Sequence, residues 1–310
     1  MNLWNTIVTG FKETWAHKFR SLLTMLGIIL GVASLVAMSA IVTGMENGLK
    51  EALEEAGGLR TIRIDYEDDL PLHQRHLFDQ ATGVTMHDVY ALQQSAPLTK
   101  RITPLIEIWG FRKGALARYG RERTRPFKFA GTWPDILTIE QHEIAHGRMF
   151  NELDDDEARS VCVIGTKIRD ELFGSPEQLG REVIPIDRTI VVNHQPLTII
   201  GMFRHYESES FRKKKDALAQ ENAALEAAGK DPKAPRLRDD FIYRIKNKSI
   251  YIPLTTMLLK FRTDKNARAG ADARLTTLKM EINDVEDLEA ALQQARNVLM
   301  FTHKGIEDFA

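Results

Sequence analysis

The chain has 310 residues, 43% apolar and 27% charged, with 42 basic and 43 acidic residues for a net charge of -1. That composition excludes a disordered or collagen-like chain, and the charge balance argues against a dedicated nucleic-acid binder. The lone cysteine, Cys162, excludes an internal disulfide, and a mean hydropathy of -0.28 excludes a polytopic membrane protein while leaving room for one apolar span.

Such a span stands near the amino terminus. Ser21 to Thr43 is 23 residues without a charge. At a rise of about 1.5 Å per residue it crosses a hydrocarbon core of about 30 Å as a helix. A cleaved signal peptide has a shorter apolar region, although Ala37-Met38-Ser39 offers a small-x-small site. A soluble core helix rarely needs so long an uncharged run. The reading taken is a retained transmembrane helix over 21–43, continuing as helix to about residue 56. Lys12, Lys18 and Arg20 precede it. Glu46, Glu51, Glu54 and Glu55 follow, together with Lys50, Arg60 and Arg63. The closeness of Lys18 and Arg20 to the span puts the amino terminus in the cytoplasm and residues 44–310 outside.

Gly27 and Gly31 are four apart, with Ala33, Ala37 and Ala40 adding small surface. Small residues let membrane helices approach closely, so Gly27 and Gly31 are candidate packing residues. Ahead of the span, Leu3, Trp4, Ile7, Val8, Phe11, Trp15 and Phe19 recur every three or four positions. Residues 1–20 therefore read as an amphipathic interfacial helix, with Trp4, Trp15, Lys18 and Arg20 as anchors at the headgroups.

Residues 59–302 read as α+β. Leu59–Ile64 is a β-branched segment. Thr85 caps a helix over Met86–Gln93, with Asp88 at its third position. Ile102–Trp109, Ala115–Tyr119 and Pro126–Ala130 read as strands. Ser160–Ile164 is a short apolar run. Cys162 lies within it, expected to pack rather than react. Thr166–Phe173 is a helix closed by Gly174. Glu182–Ile186, Thr189–Val192 and Leu197–Phe203 read as a meander turning at Asn193–Pro196. Ile250–Ile252, Leu275–Ile282 and a helix over Val285–Phe301 complete the order. Within it, residues 204–248 hold 12 basic and 8 acidic residues. Their helical stretch Phe211–Ala228, stopped by Gly229, reads as an exposed, charged insertion.

One motif bears on chemistry. His142-Glu143-Ile144-Ala145-His146 matches H-E-x-x-H, which on a helix holds zinc between two histidines with the glutamate as general base. The metzincin extension fails at Arg148, and Gly147 breaks a helix at once. The blander reading is two exposed histidines on a short turn. The Gly-rich segments lack P-loop spacing and there is no G-x-S-x-G elbow. No catalytic residue, metal ligand or cofactor site is therefore assigned.

The run Arg20 to Met38, RSLLTMLGIILGVASLVAM, closely resembles the first membrane helix of the MacB/FtsX-like family of ABC transporter permeases. Gly147-Arg148-Met149-Phe150 resembles that family's glycine-arginine-aromatic turn. Val161–Gly165, Glu171–Gly174 and Leu179-Gly180 resemble its strand, helix and loop in order. Leu197–Phe203, Ile250–Thr256 and His303–Phe309 are similar to its later strand, the segment before the closing helix and the exit from the external domain. The ordered set spans nearly the whole chain outside 204–248.

The resemblance implies a membrane helix followed by a periplasmic domain of two mixed α/β subdomains, one inserted in the other, with 303–310 starting a stalk towards a second membrane helix. It implies a non-enzymatic permease subunit, or a fragment of one, in the bacterial inner membrane. Its partners would be an ABC ATP-binding subunit, a second permease copy or paralogue, and a periplasmic adaptor, besides the bilayer. The family's three further membrane helices are expected after Ala310, so the sequence is expected to be a fragment or a shortened paralogue. Two other readings stand beside this one. The first is a single-pass scaffold regulating a periplasmic partner such as a cell-wall hydrolase. The second is a membrane-tethered zinc protease using His142, Glu143 and His146.

Overall fold

The computed structural model describes residues 18–55, 58, 60–67, 69–110, 114–227, 241–262 and 274–310. The expected interfacial helix over 1–20, with Trp4 and Trp15, lies outside the described residues except for 18–20. Contacts divide the chain into two units, Met1–Glu54 and Glu55–Ala310.

The first unit contains α1, a single helix over Lys18–Glu55. It includes the uncharged span Ser21–Thr43 and ends at Glu55. Its apolar side chains, Leu22 and Ile28 to Met45 among them, are exposed along the helix. No polar face interrupts them between Leu22 and Val42.

The second unit is built on one sheet of eleven strands. They are β1 (Thr61–Asp65), β2 (Thr99–Trp109), β3 (Ala117–Tyr119), β4 (Glu122–Thr124), β5 (Lys128–Thr132), β6 (Ile144–Gly147), β7 (Val161–Ile164), β8 (Thr189–Val192), β9 (Gln195–Phe203), β10 (Ser249–Pro253) and β11 (Thr277–Ile282). The order is β1-β11-β2-β5-β10-β7-β9-β8-β3-β4, with β6 pairing β9. Two pairs, β5 with β10 and β7 with β9, are parallel, and the rest are antiparallel. Strands 144–203 thus enter the sheet between β5 and β10 in sequence, and share its hydrogen bonding in space.

Alternation explains how the sheet is covered on both faces. Cys162, Ile164, Ile250 and Ile252 point to one side, into a core with Ile62, Ile64, Leu92 and Leu299. Val163 and Tyr251 point to the other, into a second core with Leu105, Ile136, Phe150 and Phe203. Strands buried on both faces read as continuous apolar runs, as VCVI and SIYIP do. Helices α2 (Met86–Ser95) and α10 (Leu288–Thr302) pack on the first face. On the second, α3 (Ile136–Ile139) precedes β6, and α4 (Glu152–Asp156) follows it. The remaining helices are α5 (Thr166–Phe173), α6 (Pro176–Leu179), α7 (Glu209–Ala227), α8 (Phe241–Asn247) and α9 (Leu254–Lys260).

Several expectations hold in detail. Asp88 Oδ2 accepts from the Thr85 N–H at 2.8 Å, capping α2. α5 has the expected bounds, with Gly174 at φ 94°. The β8–β9 turn places Asn193 and His194 at φ 45° and 73°, the left-handed pair a two-residue hairpin needs. Others differ. Glu182–Ile186 is not in the sheet; Pro185 within it has no N–H to donate to a ladder. The closing helix begins with a 3-10 turn at Val285–Asp287. Residues 303–310 do not leave as a stalk. His303, Ile306 and Asp308 are buried, and Ala310 exchanges both backbone bonds with Asp65, at 2.9 and 3.0 Å.

Candidate functional site

Two features stand out, the apolar surface of α1 and a row of buried charges across the sheet.

Gly27 and Gly31 lie one turn apart on α1, and a Cβ built on either meets nothing within 4 Å. Arg20 is exposed near the helix start, and Lys18 is its first residue.

The charge row is set by register. Arg63 opposes Lys279 across β1 and β11, Glu107 opposes Ala130 across β2 and β5, and Ala130 opposes Tyr251 across β5 and β10. Side chains two residues apart share a face. Arg63, Lys279, Glu107, Lys128 and Tyr251 therefore stand on the same side of five neighbouring strands. Glu140 and His142, after α3, close over them. Lys128 Nζ lies 2.8 Å from Glu107 Oε1 and 2.7 Å from Glu140 Oε1. Lys279 Nζ reaches the same Glu140 oxygen at 2.7 Å. Arg63 lies 3.6 Å from Glu107 and also pairs with Asp65. The Tyr251 hydroxyl donates to Glu140 Oε2, and His142 Nε2 is 3.3 Å from that oxygen. Lys128 and Lys279 face Glu107 and Glu140, and Lys246 is buried beside them.

Burial alone opposes ionisation of Glu140, yet Lys128 and Lys279, with His142, hold its carboxyl well below the usual range. Burial likewise disfavours the Lys128 ammonium, and Glu107 and Glu140 overcome it, raising its pKa well above the ordinary value. Burial and the Glu140 charge push the Tyr251 hydroxyl up. Burial lowers the His142 pKa and leaves the ring neutral at pH 7.

Helix α8 roofs the row. Phe241 stacks on Trp109 with ring centroids 6.3 Å apart, and Arg244 lies over the Phe127 ring. Asn247 Nδ2 donates to the Tyr206 carbonyl at 2.7 Å. Within the charged stretch 204–248, most of the described α7 side chains are exposed, Lys246 and Asn247 of α8 are buried, and Gly229 lies outside the described residues. Between α8 and the sheet is a cavity of about 190 Å³, which Glu107, Lys128, Glu140 and Lys246 help to line.

The H-E-x-x-H reading fails on geometry. His142 and Glu143 are in a loop and His146 is on β6, so the two rings do not share a helix face. Nor are both exposed. His142 is buried, stacked on Phe203 with centroids 4.4 Å apart. Glu143 is taken by Arg204 on the surface. Among the described residues no group of three or more His, Cys, Asp or Glu side chains is arranged to hold a metal. The neighbouring glycine-arginine turn has its own explanation. Gly147 sits at φ 75°, and a Cβ there would meet the Ile200 carbonyl oxygen at 2.2 Å. Arg148 pairs with Asp154 at 2.6 Å, and Arg159 joins the same carboxylate at 3.1 Å.

A second buried charge group lies at the carboxyl end. The His303 ring is held between Asp308, at Nδ1, and Asp88, 3.2 Å from Nε2. Asp308 also accepts from the Gly83 N–H at 2.8 Å. Burial disfavours the imidazolium, but Asp308 and Asp88 raise its pKa to about 9.

Sequence reasoning missed both charge groups. Glu107, Lys128 and Lys279 sit in strands where charge ordinarily signals an exposed face; only the apolar residues on both sides of them hint at burial.

Comparison with known proteins agrees with this architecture. The family model of the MacB-like periplasmic core domain matches residues 21–298. The pyoverdine export ATP-binding/permease protein PvdT of Pseudomonas aeruginosa is 29% identical over 215 residues, covering 69% of this chain and 29% of PvdT. The macrolide export ATP-binding/permease protein MacB of Neisseria gonorrhoeae is 29% identical over 197 residues, covering 62% and 27%. The chain therefore spans less than a third of the length of these curated relatives. In fold it is similar to the periplasmic region of MacB from Actinobacillus actinomycetemcomitans, with TM-score 0.54 and 16% identity over 83% of this chain and 90% of that one. It is also similar to the extracellular domain of the noncanonic ABC-type transporter YknZ from Gram-positive bacteria, with TM-score 0.53 and 15% identity over 80% and 97%. One apolar helix able to span a membrane, followed by this mixed sheet and the match over 21–298, places the chain in the MacB-like periplasmic core domain family of ABC transporter permeases.

Proposed function

We propose that α1 anchors this chain in the bacterial inner membrane, amino terminus in the cytoplasm, and that the sheet unit works in the periplasm as the moving part of an exporter. The ATP is hydrolysed by an ABC ATP-binding subunit, separate or fused. Its motion reaches the periplasm through the membrane helix, and drives periplasmic export or extraction of a substrate.

The observation that carries this reading is α1 itself. The stretch Leu22–Glu46 is 25 residues long and apolar enough to span. As a helix it measures about 37 Å, longer than the hydrocarbon core of about 30 Å. Gly27 and Gly31 would seat a second permease copy or paralogue. Trp4, Trp15, Lys18 and Arg20 would anchor the cytoplasmic interface. In the chain, α1 leads to β1, an edge strand carrying Arg63. The charge row ties β1 to β11, β2, β5 and β10. Removing one partner from a buried ion pair costs about 3–5 kcal/mol, so five strands would move as one plate. A periplasmic adaptor would receive that motion.

Copurification from membranes under mild detergent tests the reading. An ATP-binding subunit, with or without an adaptor, is the expected companion. A cell-wall hydrolase in its place would favour the scaffold reading and overturn this one. Gly31→Leu should weaken self-association of α1; unchanged assembly would remove Gly27 and Gly31 from the interface.

A further inference from the structure

At its β4 end the sheet is covered on one face only. Along the order β9-β8-β3-β4, Pro196, Val191, Arg118 and Arg123 stand directly opposite one another across three antiparallel pairs. They share one face by register. Their neighbours along the strands, Leu197, Ile190, Val192 and Ala117, turn the other way into the first core. All four residues of the row are exposed, Val191 by 39%.

The charge on this row is one-sided. Residues 117–125, ARYGRERTR, hold four arginines and one glutamate. Arg118 and Arg123 are the direct pair, Arg121 lies in the turn between β3 and β4, and Arg125 follows β4. Among the described residues no side-chain hydrogen bond or ion pair engages any of the four. Like charges directly opposite on a sheet repel. An arginine fork is matched, two bonds at a time, by a carboxylate. The pair thus works against the fold and in favour of an anionic partner.

We propose that this row docks a helix of a partner protein, one that carries two carboxylates and then two apolar side chains along a single stripe. Strands are spaced by about 4.8 Å, so from Arg123 the row reaches Arg118 at about 5 Å, Val191 at about 10 Å and Pro196 at about 15 Å. A helix laid across the strands rises about 1.5 Å per residue, and its positions i+4, i+7 and i+11 follow position i on one stripe at about 6, 10 and 16 Å. Asp or Glu at the first two positions meets the arginines. Apolar residues at the last two cover Val191 and Pro196. A free polyanion or a lipid headgroup would use the arginines and leave the apolar half of the row bare. Arginine beside apolar surface is also the composition of protein interfaces. The inference needs only this face of the sheet unit; its failure would leave the membrane role untouched, and the reverse.

The probe is a fluorescent, alanine-based helical peptide of about 20 residues, with Glu at i and i+4 and Leu at i+7 and i+11. Its control has the same composition, with the leucines moved to the opposite side of the helix. Binding to the whole chain in uncharged micelles is read by anisotropy at about 150 mM salt. The peptide should bind, and Arg118→Gln with Arg123→Gln should weaken it about tenfold or more, as loss of two carboxylate pairs implies. Lys213→Gln with Lys215→Gln, on the exposed start of α7, should change it less than about twofold. The urea midpoint of the arginine variant should hold or rise, because a repulsion is removed. A peptide that fails to bind at millimolar concentration, or a control peptide that binds equally, would overturn the proposal. So would an equal loss in the α7 variant, or lost stability in the arginine variant, which would make the pair structural. Phosphatidylglycerol vesicles that bind through Arg118 and Arg123 while the peptide does not would assign the row to a lipid surface and overturn it as well.

Discussion

Raising the pH should loosen the carboxyl-terminal segment through a single proton. His303 is buried, and the carboxylates of Asp308 and Asp88 raise its pKa from 6.5 to about 9. In the unfolded chain the ring loses its proton near pH 6.5. The native state therefore holds one more proton between those values. Its stabilisation is fully present below about pH 6.5, falls by about 1.4 kcal/mol per pH unit above it, and is gone above about pH 9. The total is about 3 kcal/mol. The assay is urea unfolding of the whole chain in micelles, followed by tryptophan fluorescence from pH 6 to 9.5, for wild type and His303→Gln. The wild-type curve should descend towards that of the variant and meet it near pH 9. Local release should show as faster exchange of the Gly83 amide, which Asp308 otherwise holds. Curves that ran parallel across this window would refute the assignment of the proton to His303.

Three further outcomes are expected. Glu140→Gln leaves Lys279 and Lys128 without the carboxylate that each meets at 2.7 Å, and should cost about 3–5 kcal/mol in urea unfolding; a loss below 1 kcal/mol would mean the row is hydrated and open. Gly147→Ala forces a left-handed backbone and drives a Cβ onto the Ile200 carbonyl, so about 2 kcal/mol or more should be lost together with the protection of the β6–β9 amides. Glu143→Gln removes an exposed pair with Arg204, and should change stability by less than about 1 kcal/mol; zinc retained at one ion per chain, and lost in this variant, would revive the protease reading.

How much was legible depended on whether local signals and tertiary demands agreed. The span of α1 is written in composition, because lipid asks for an apolar helix of a given length. α5 has a glycine stop, α2 a threonine-aspartate cap, and the β8–β9 hairpin an asparagine that tolerates positive φ; each is decided by neighbours in sequence. His142–Gly147 reads locally as a short turn with two exposed histidines, because its partner in the sheet, β9, is more than fifty residues away. The charge row was hidden for the same reason. Lys128 finds Glu107 in one direction along the chain and Glu140 in the other, and no periodicity announces that strands β2, β5 and β11 will be neighbours. The carboxyl segment looked like an exit because its anchors, Asp88 and Asp65, lie over 200 residues earlier.

Cys162 offers a practical consequence. It is the chain's only thiol, it lies buried in β7, and burial drives its pKa far above the ordinary value. The thiolate is the reactive form, so this sulfur is silent towards maleimides, spin labels and oxidants while the fold is intact. Cysteines introduced on the surface of α7, on the exposed face of the β3–β4 hairpin or along α1 would each be the one addressable position in an otherwise native background. Distances and cross-links could then be read on this unit without first removing a residue from its core. Reaction of Cys162 itself would report that the sheet has opened.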